Sequence, residues 1–230
     1  MGDASPTPTW NTYVGVDSAD EAAAKVQEAG GTVLVEPFDV LDAGRMAVSS
    51  DPAGAVFSVW QAGTHQGAGL VNEPSTWNWS DLNTTDPARS KEFYRAVFGW
   101  EASTVSFGEA EGTMWRLPGY ADFLERFDPD LRRRHTEFGA PEGFSDAIGW
   151  VMSLDPDQAE TGVPPHWSVT FAVDDADAVA ARCTESGGAV VVPPVDAGPV
   201  RTVVLRDPQG AVFSVNRFDP AYESAGGENL

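Results

Sequence analysis

The sequence is poor in cysteine, in lysine and in long apolar runs. Its 230 residues contain one cysteine, Cys183, which excludes an internal disulfide and is typical of a reducing compartment. No stretch reaches the roughly 18 apolar residues of a membrane-spanning helix, and the first residues lack the basic start and apolar centre of a signal peptide. We therefore expect a cytoplasmic protein that does not associate with membranes.

Positive charge is also scarce. The 14 lysines and arginines are outnumbered by 35 acidic residues, which leaves a formal net charge of −21. A surface of this sign repels phosphate backbones, so we expect no nucleic-acid partner. Solubility accounts for most of this charge.

What the sequence does contain is an internal repeat. The stretch WNTYVGVDSADEAAAKVQEAGGTVLVEP, from Trp10, aligns with WSVTFAVDDADAVAARCTESGGAVVVPP, from Trp167, and DPAGAVFSV (51–59) aligns with DPQGAVFSV (207–215). Each copy predicts a strand, a helix that Ser or Asp caps and Gly-Gly ends, and three more strands. An Asp-Pro-x-Gly turn joins the last two strands. The repeated unit is therefore β-α-β-β-β.

A third and more diverged copy lies between these two. STWNWSDLNTT predicts a strand, Asp86 and Pro87 begin a helix that Gly99 ends, and three strands follow, the last of them AIGWVMSL. An insertion at 119–146 precedes this last strand and is too long for a simple turn, so we expect a lid or an interface element. The predicted fold class is α+β, built from three tandem βαβββ modules.

These motifs resemble the vicinal-oxygen-chelate superfamily, which includes glyoxalase I, extradiol dioxygenases and the fosfomycin and bleomycin resistance proteins. DPARSKEFYRAVFGWE (86–101) is similar to the family's first helix and DPxGAVFSV to its final hairpin. The resemblance covers residues 9–219 and is closest to multi-module glyoxalase-like proteins of actinobacteria. It implies that modules pair edge to edge, and that the joined sheets wrap a cleft for a small molecule and usually a divalent metal.

The resemblance also implies a domain division. Residues 73–220 would form a complete domain from modules 75–157 and 166–219, whereas residues 1–66 would form a single module, the second half of a pair. Either a further module precedes this one in a longer chain, or a second copy of the chain supplies the partner in a homodimer. The sequence leaves both alternatives open.

In the family, the first and last strands of each module carry the metal ligands. Those positions fall on Asn11, Trp79 and Ser168 in the first strands, and on Ser58, Ser214 and a residue near Val151 or Ser153 in the last. Uncharged hydroxyl, amide and indole groups hold transition metals poorly. We therefore expect no metal and no other cofactor.

The expected small-molecule site lies on the concave face of the complete domain. Strand alternation puts Trp79 with Asp81, and Ser168 with Thr170, on one face, and we expect Trp115 and Ser214 to line the same cleft. Asp81 is the only acid in this set and is the candidate catalytic base. The other five are candidate substrate-binding residues.

Several function classes fit these features. One is a glyoxalase-type lyase or isomerase acting on a small α-oxo compound. Another is a non-catalytic protein that binds or sequesters a hydrophobic or cationic small molecule, as drug-resistance members do. An oligomerising role for the first module is compatible with both.

Three further sets of residues are predicted to be structural. Arg45 and Arg201 occupy equivalent places in two copies, and each is expected to pair with a local acid. Cys183 matches Val26 in the repeat and is expected to pack against the core. Residues 132–135, Arg-Arg-Arg-His in the insertion, either clamp an anionic substrate or form a solvated helix face, and we favour the solvated face.

Overall fold

The structure is a computed structural model that describes residues 8–107, 110–154 and 162–219. Its contacts divide the chain into two compact units. The larger unit comprises Thr12–Gly69 and Ser80–Trp167, and the smaller unit comprises Met1–Asn11, Leu70–Trp79 and Ser168–Leu230, each within the described ranges. No helix of the described residues is long and apolar enough to cross a membrane.

The larger unit begins with a four-stranded sheet and one helix. The elements are β1 (Tyr13–Gly15), α1 (Ala19–Glu28), β2 (Thr32–Val40), β3 (Gly44–Ser50) and β4 (Val56–Ala62). The strand order is β1-β4-β3-β2, with β1 parallel to β4 and the other neighbours antiparallel. Ser18 caps α1, since its hydroxyl accepts the Glu21 N–H at 3.2 Å.

A second set of elements completes the larger unit, although the first three residues of its first strand belong to the smaller unit. These are β5 (Trp77–Thr84), α2 (Pro87–Phe98), β6 (Glu101–Phe107), β7 (Ala110–Arg116), α3 (Tyr120–Leu124), α4 (Leu131–Glu137), a 3-10 helix (Phe144–Asp146) and β8 (Ala147–Ser153). The strands follow the order β5-β8-β7-β6. Asp86 caps α2 by accepting the Arg89 N–H at 3.0 Å, and Gly99 ends the helix with φ of 71°.

In the core of the larger unit, the helix-bearing face of the first sheet packs against α2 of the second set of elements. Phe57 of β4 contacts α2 through Phe93 and Tyr94, with ring centroids 6.2 and 5.7 Å apart. Gly31 is needed beside them, because a Cβ there would lie 2.8 Å from the Phe93 ring. The first sheet therefore packs against α2 of the same chain, a contact that the sequence alone did not predict.

The smaller unit has the same local pattern. Its elements are β9 (His166–Ala172), α5 (Ala176–Glu185), β10 (Ala189–Ala197), β11 (Val200–Arg206) and β12 (Val212–Phe218), in the strand order β10-β11-β12-β9. Val203, Leu205 and Val215 form its core with α5, and Cys183 packs against them, which confirms its predicted structural role. The α+β class is confirmed, whereas the count of three modules and the domain division stay predictions.

The predicted pairing of the two repeat arginines is also confirmed. The Arg45 guanidinium donates to Asp20 at 2.7 Å and to Asp39 at 2.9 Å. Arg201 donates to Asp177 and to Asp196 in the same way, at 2.5 and 2.9 Å. Each arginine thus ties a helix to its neighbouring strands, with the same geometry in both copies.

Candidate active site

Asp81 lies on the face of β5 that points away from the core. Leu82 belongs to the core, and its neighbour across the sheet, Val151, belongs to the same core. Alternation along the strand therefore places Asp81 and Trp79 together on the opposite face. The burial pattern along β5 agrees with this alternation, whereas the roles of Asp81 and Trp79 stay predictions.

The Asp81 carboxylate sits in a desolvated setting. Its Oδ1 atom accepts the backbone N–H of Trp150 on β8 at 3.0 Å. Burial raises the pKa of Asp81 to about 7, because desolvation disfavours the charged form more than this hydrogen bond favours it. The group is thus close to half-ionised near neutral pH.

Cross-strand register identifies the neighbours on this face. Asn83 is opposite Met152, Trp150 is opposite Met114, and Met114 is in turn opposite Ser103. The Ser103 hydroxyl is buried without a hydrogen-bond partner among the described residues. Sequence reasoning missed these neighbours, because strand alternation shows which way a side chain points but not which strand lies alongside.

Trp115 lies on the opposite face from the one expected. It is 0% exposed and belongs to the aromatic core, with ring centroids 5.5 Å from Tyr94 and 5.8 Å from Trp100. The adjacent Met114 takes the Asp81 face instead, since successive residues of a strand point to opposite sides. Trp115 therefore lies in the core and not on the face of Asp81, where the sequence analysis expected it.

The structure also corrects which residue of β8 holds the family's metal-ligand position. Ser58 pairs with Tyr13, and Ser214 pairs with Thr170, in parallel ladders. The equivalent partner of Asp81 is Trp150, not Val151 or Ser153, because Leu82 pairs with Val151. An indole occupies the place where the family resemblance implies a metal ligand.

The remaining three candidates lie in the smaller unit. Thr170 and Ser214 are directly opposite each other on β9 and β12, as expected for two residues that line one face. Thr170 is buried and Ser214 is half-buried. Ser168 is two residues before Thr170 and shares its face. That these residues and Asp81 form one cleft stays a prediction.

The side chains at these positions do not fit a divalent metal. Three or more His, Cys, Asp or Glu side chains are not grouped anywhere in the described ranges. Around Asp81 the family positions hold Trp79 and Trp150, and in the smaller unit they hold Ser168 and Ser214. One carboxylate with a raised pKa, joined by indoles and hydroxyls, is a poor donor set for a transition metal.

The three consecutive arginines of the insertion are each paired with acids. Arg132 pairs with Asp122 and Glu125. Arg133 and Arg134 pair with acids at 130, 137 and 128. His135 instead hydrogen-bonds the Ser145 hydroxyl at 2.9 Å. This agrees with the solvated helix face that the sequence favours over an anion clamp.

Comparison with known proteins identifies relatives that share this fold. A family model described as the Glyoxalase/Bleomycin resistance protein/Dioxygenase superfamily matches residues 76–215. CFP32 of Mycobacterium tuberculosis, provisionally named a glyoxylase, is 41% identical over 214 residues, which are 93% of this chain and 71% of the relative. The anthracycline biosynthesis protein DauV of a Streptomyces species is 34% identical over 216 residues, 94% of this chain and 68% of the relative.

A solved structure shares the fold. It is the Mn(II)-bound glyoxalase from Novosphingobium aromaticivorans, with a TM-score of 0.53 and 17% identity. The match covers 89% of this chain and spans 61% of that protein. The family-model match and the 41% identity to CFP32 both lead to one conclusion. The chain belongs to the glyoxalase/bleomycin resistance protein/dioxygenase superfamily.

Proposed function

We propose that the protein binds a small organic molecule on the sheet face that carries Asp81, and exchanges a proton with it without a divalent metal. The observation that carries this proposal is the position of the Asp81 carboxylate, which accepts the backbone N–H of Trp150 at 3.0 Å on the neighbouring strand; burial there raises the pKa of Asp81 to about 7. A carboxyl group that is partly ionised at neutral pH can both accept and donate a proton. Strongly shifted carboxyl groups in enclosed settings gather at functional sites.

The neighbours of Asp81 favour an apolar body in the ligand. Trp150, which is half-buried, lies on the same face, as its register shows, and an indole offers a flat surface for ring stacking. The net charge of −21 works against an anionic ligand. Because one relative is named an anthracycline biosynthesis protein, polycyclic aromatic ketones are the first compounds to test.

A protein that binds such a ligand can either convert it or only sequester it. In a glyoxalase-type lyase or isomerase, the Asp81 carboxylate would take a proton from a carbon next to a carbonyl group. The electron pair of the C–H bond would then move toward the carbonyl oxygen, which gains negative charge. In a sequestering protein, the same carboxylate would only accept a hydrogen bond from the ligand. The pKa of Asp81 favours the catalytic form.

An Asp81→Asn variant tests this proposal. Wild-type and variant protein are assayed for turnover of methylglyoxal, a neutral α-oxo aldehyde, with and without EDTA, while calorimetry measures the binding of 1,4-dihydroxyanthraquinone. We expect turnover in the wild type that resists EDTA and falls at least about 100-fold in the variant, the loss typical of a missing general base. Asp207→Asn, which changes another carboxylate that accepts backbone N–H groups, should keep wild-type turnover.

Two results would contradict the proposal. Activity that EDTA abolishes and zinc restores would show a metal site. Equal turnover in the wild type and in Asp81→Asn would remove Asp81 from the chemistry. Binding of the quinone without any turnover would leave the sequestering form.

The homodimer expected from the first module is also kept as a proposal, together with the complete domain at 73–220. Strand β1 is a terminal strand of its sheet, so one edge can pair with another chain. Size-exclusion chromatography with light scattering should give twice the chain mass. A monomer at every concentration would contradict a homodimer.

A further inference from the structure

Two equivalent tryptophans of the repeat differ in burial. Trp10 and Trp167 begin the two similar copies of the repeat. Trp167 is 7% exposed, and its indole N–H donates to the Tyr94 hydroxyl of α2 at 2.9 Å. Trp10 is 45% exposed. One tryptophan is thus anchored on a helix, whereas its equivalent lies open.

Tyr94 is the centre of the contact that α2 makes in the larger unit. Its hydroxyl accepts the Trp167 indole N–H and also donates to the carboxylate of Asp51, in the turn that joins β3 and β4. Its ring centroid lies 5.7 Å from that of Phe57 on β4. A single tyrosine therefore connects a tryptophan, a turn carboxylate and a core ring.

The same face of α2 also covers α1. Phe93 lies beside Val26 of α1, because a Cβ at Gly31 would be 2.8 Å from the Phe93 ring and 2.9 Å from the Val26 side chain. Val26 is 0% exposed. The buried residues of α2 are spaced as one stripe of an amphipathic helix; they are Ser90, Phe93, Tyr94 and Val97.

The smaller unit has the equivalent surface, but its described part contains one helix, α5, which is the equivalent of α1. We call this surface the α5 surface; its residues are Trp10, Cys183, Asp207 and Phe213. Trp10 is exposed and the other three are partly exposed. Their equivalents in the larger unit are all between 0% and 7% exposed; these are Trp167, Val26, Asp51 and Phe57. The α5 surface is thus more open at every position that α2 covers in the larger unit.

The α5 surface retains the chemical groups that hold α2 in the larger unit. The ring centroids of Trp10 and Phe213 are 6.2 Å apart, and Phe213 and Cys183 pack against the same core. The Asp207 carboxylate is oriented by the N–H groups two and four residues later, both at 2.9 Å. An indole, an oriented carboxylate and an apolar ring are therefore available to a helix that resembles α2.

The source and the charge of such a helix can also be inferred. A second copy of the chain does not offer its α2, because the apolar stripe of α2 is already buried. In α2 three basic residues accompany one acidic residue, whereas residues 168–219 contain seven acidic and four basic residues. Net charges of opposite sign favour association. The matching occupant is therefore a weakly basic helix from another module.

We propose that the α5 surface docks an amphipathic, weakly basic α-helix that carries a tyrosine and belongs to a further βαβββ module. The tyrosine hydroxyl would accept the Trp10 indole N–H and donate to Asp207. The residue before the tyrosine, an aromatic one as in α2, would cover Cys183. This docking does not involve Asp81 and does not depend on the proposed function.

A peptide with the sequence of residues 86–99 is the probe. A lactam bridge between positions 92 and 96, both exposed in α2, keeps it helical. Its fluorescence anisotropy is titrated with the full chain, and we expect saturable binding. Trp10→Ala should weaken this binding at least about tenfold, because aromatic residues at the centre of an interface contribute most to affinity. A peptide with Tyr94→Phe should also bind more weakly, since it lacks the hydroxyl.

Phe218→Ala is the matched control. Phe218 is 45% exposed, as Trp10 is, and lies on β12 five residues after Phe213, so it points to the opposite face of the sheet. This variant should bind the peptide as the wild type does. Cys183, the single cysteine of the chain, provides a readout that needs no substitution. A saturating amount of peptide should slow its reaction with N-ethylmaleimide at least about fivefold, and this result decides if circular dichroism shows that Trp10→Ala does not fold.

Three results would overturn the docking proposal. The first is a lack of saturable binding, and the second is equal affinity in the wild type and in folded Trp10→Ala. The third is a dimer that excludes the peptide and dissociates in Trp10→Ala, because a second copy would then be the occupant. Asp81→Asn should retain peptide binding and Trp10→Ala should retain turnover, so failure of the docking proposal and failure of the proposed function are distinguishable.

Discussion

The turns at Asp51 and Asp207 have the same sequence pattern and the same local geometry. In each, the aspartate carboxylate accepts the N–H groups two and four residues later, all at 2.9 Å. The turn glycines, Gly54 and Gly210, have φ of 102° and 106°. Five residues of sequence are enough to specify this turn, because both hydrogen bonds close within them.

Their surroundings differ. Asp51 is 3% exposed, and α2 brings the Ser90 hydroxyl to 3.5 Å and the Tyr94 hydroxyl within hydrogen-bond distance of it. Tyr94 in turn accepts the Trp167 indole N–H at 2.9 Å. Burial raises the pKa of Asp51, although its hydrogen bonds oppose this shift. Asp207 is partly exposed in the smaller unit.

Each turn aspartate is followed six residues later by a phenylalanine. These two phenylalanines also differ in burial. Phe57 is 1% exposed and meets three rings of α2, those of Phe93, Tyr94 and Phe98. Phe213 is only partly buried and contacts Phe171 and Trp10 at 5.9 and 6.2 Å. One repeated segment is thus a core element in the first copy and a half-covered one in the second.

The largest expected effect sharpens this comparison. Phe57→Ala should lower the free energy of unfolding by about 4 kcal/mol, since it empties a packed core position. Phe213→Ala should lower it by less than half as much, because its ring is partly solvated already. Urea denaturation measures both. Equal losses would mean that the two hairpins are equally buried in solution.

The comparison of repeat copies extends to the diverged middle copy, in which Asp81 of β5 is equivalent to Thr170 of β9. The pKa of Asp81 is about 7 when folded and near 3.8 otherwise, so between these pH values the folded protein binds more protons than the unfolded chain. Its stability therefore falls as the pH rises through this range. Asp81→Asn should be more stable than the wild type by about 4 kcal/mol at pH 8 and similar to it at pH 4.

Thermal unfolding across this pH range measures the effect. Thr170→Val, at the equivalent position, should change stability by the same amount at every pH, since no charge is involved. A pH-independent difference for Asp81→Asn would show that the carboxyl titrates normally.

The two turn aspartates themselves should differ by a smaller amount. Asp51→Ala should cost about 2–3 kcal/mol, because buried N–H groups and the Tyr94 hydroxyl lose their acceptor. Asp207→Ala should cost about 1 kcal/mol, since water can replace part of what is lost. Denaturant unfolding of both variants measures these losses. A larger loss of unfolding free energy for Asp207→Ala than for Asp51→Ala would contradict the expected difference in burial.

The smallest effect should be shared by both copies. Arg45→Ala and Arg201→Ala remove equivalent ion pairs on exposed surfaces. We therefore expect each variant to have a slightly lower Tm than the wild type, by equal amounts, and this difference should shrink when salt is added. Unequal decreases would show that the repeat symmetry of these pairs does not hold in solution.

Much of the local structure could be predicted from the sequence. The helix caps at Ser18, Asp86 and Asp175 are all present, because a cap depends on residues three positions apart. The alternation that pairs Trp79 with Asp81 is equally local. Trp115 could not be assigned in this way, since the sequence alone does not reveal which residue of β7 faces α2.

By itself, the sequence determined the turns, the caps and the repeat, because these depend on neighbouring residues. Only the tertiary structure decided that α2 covers Asp51 and Phe57, that Trp150 is the partner of Asp81, and that Trp10 is open where Trp167 is buried. These features come from strands and helices that are distant in the chain. Burial, and with it the pKa of a carboxyl group, is a property of that packing rather than of any short segment.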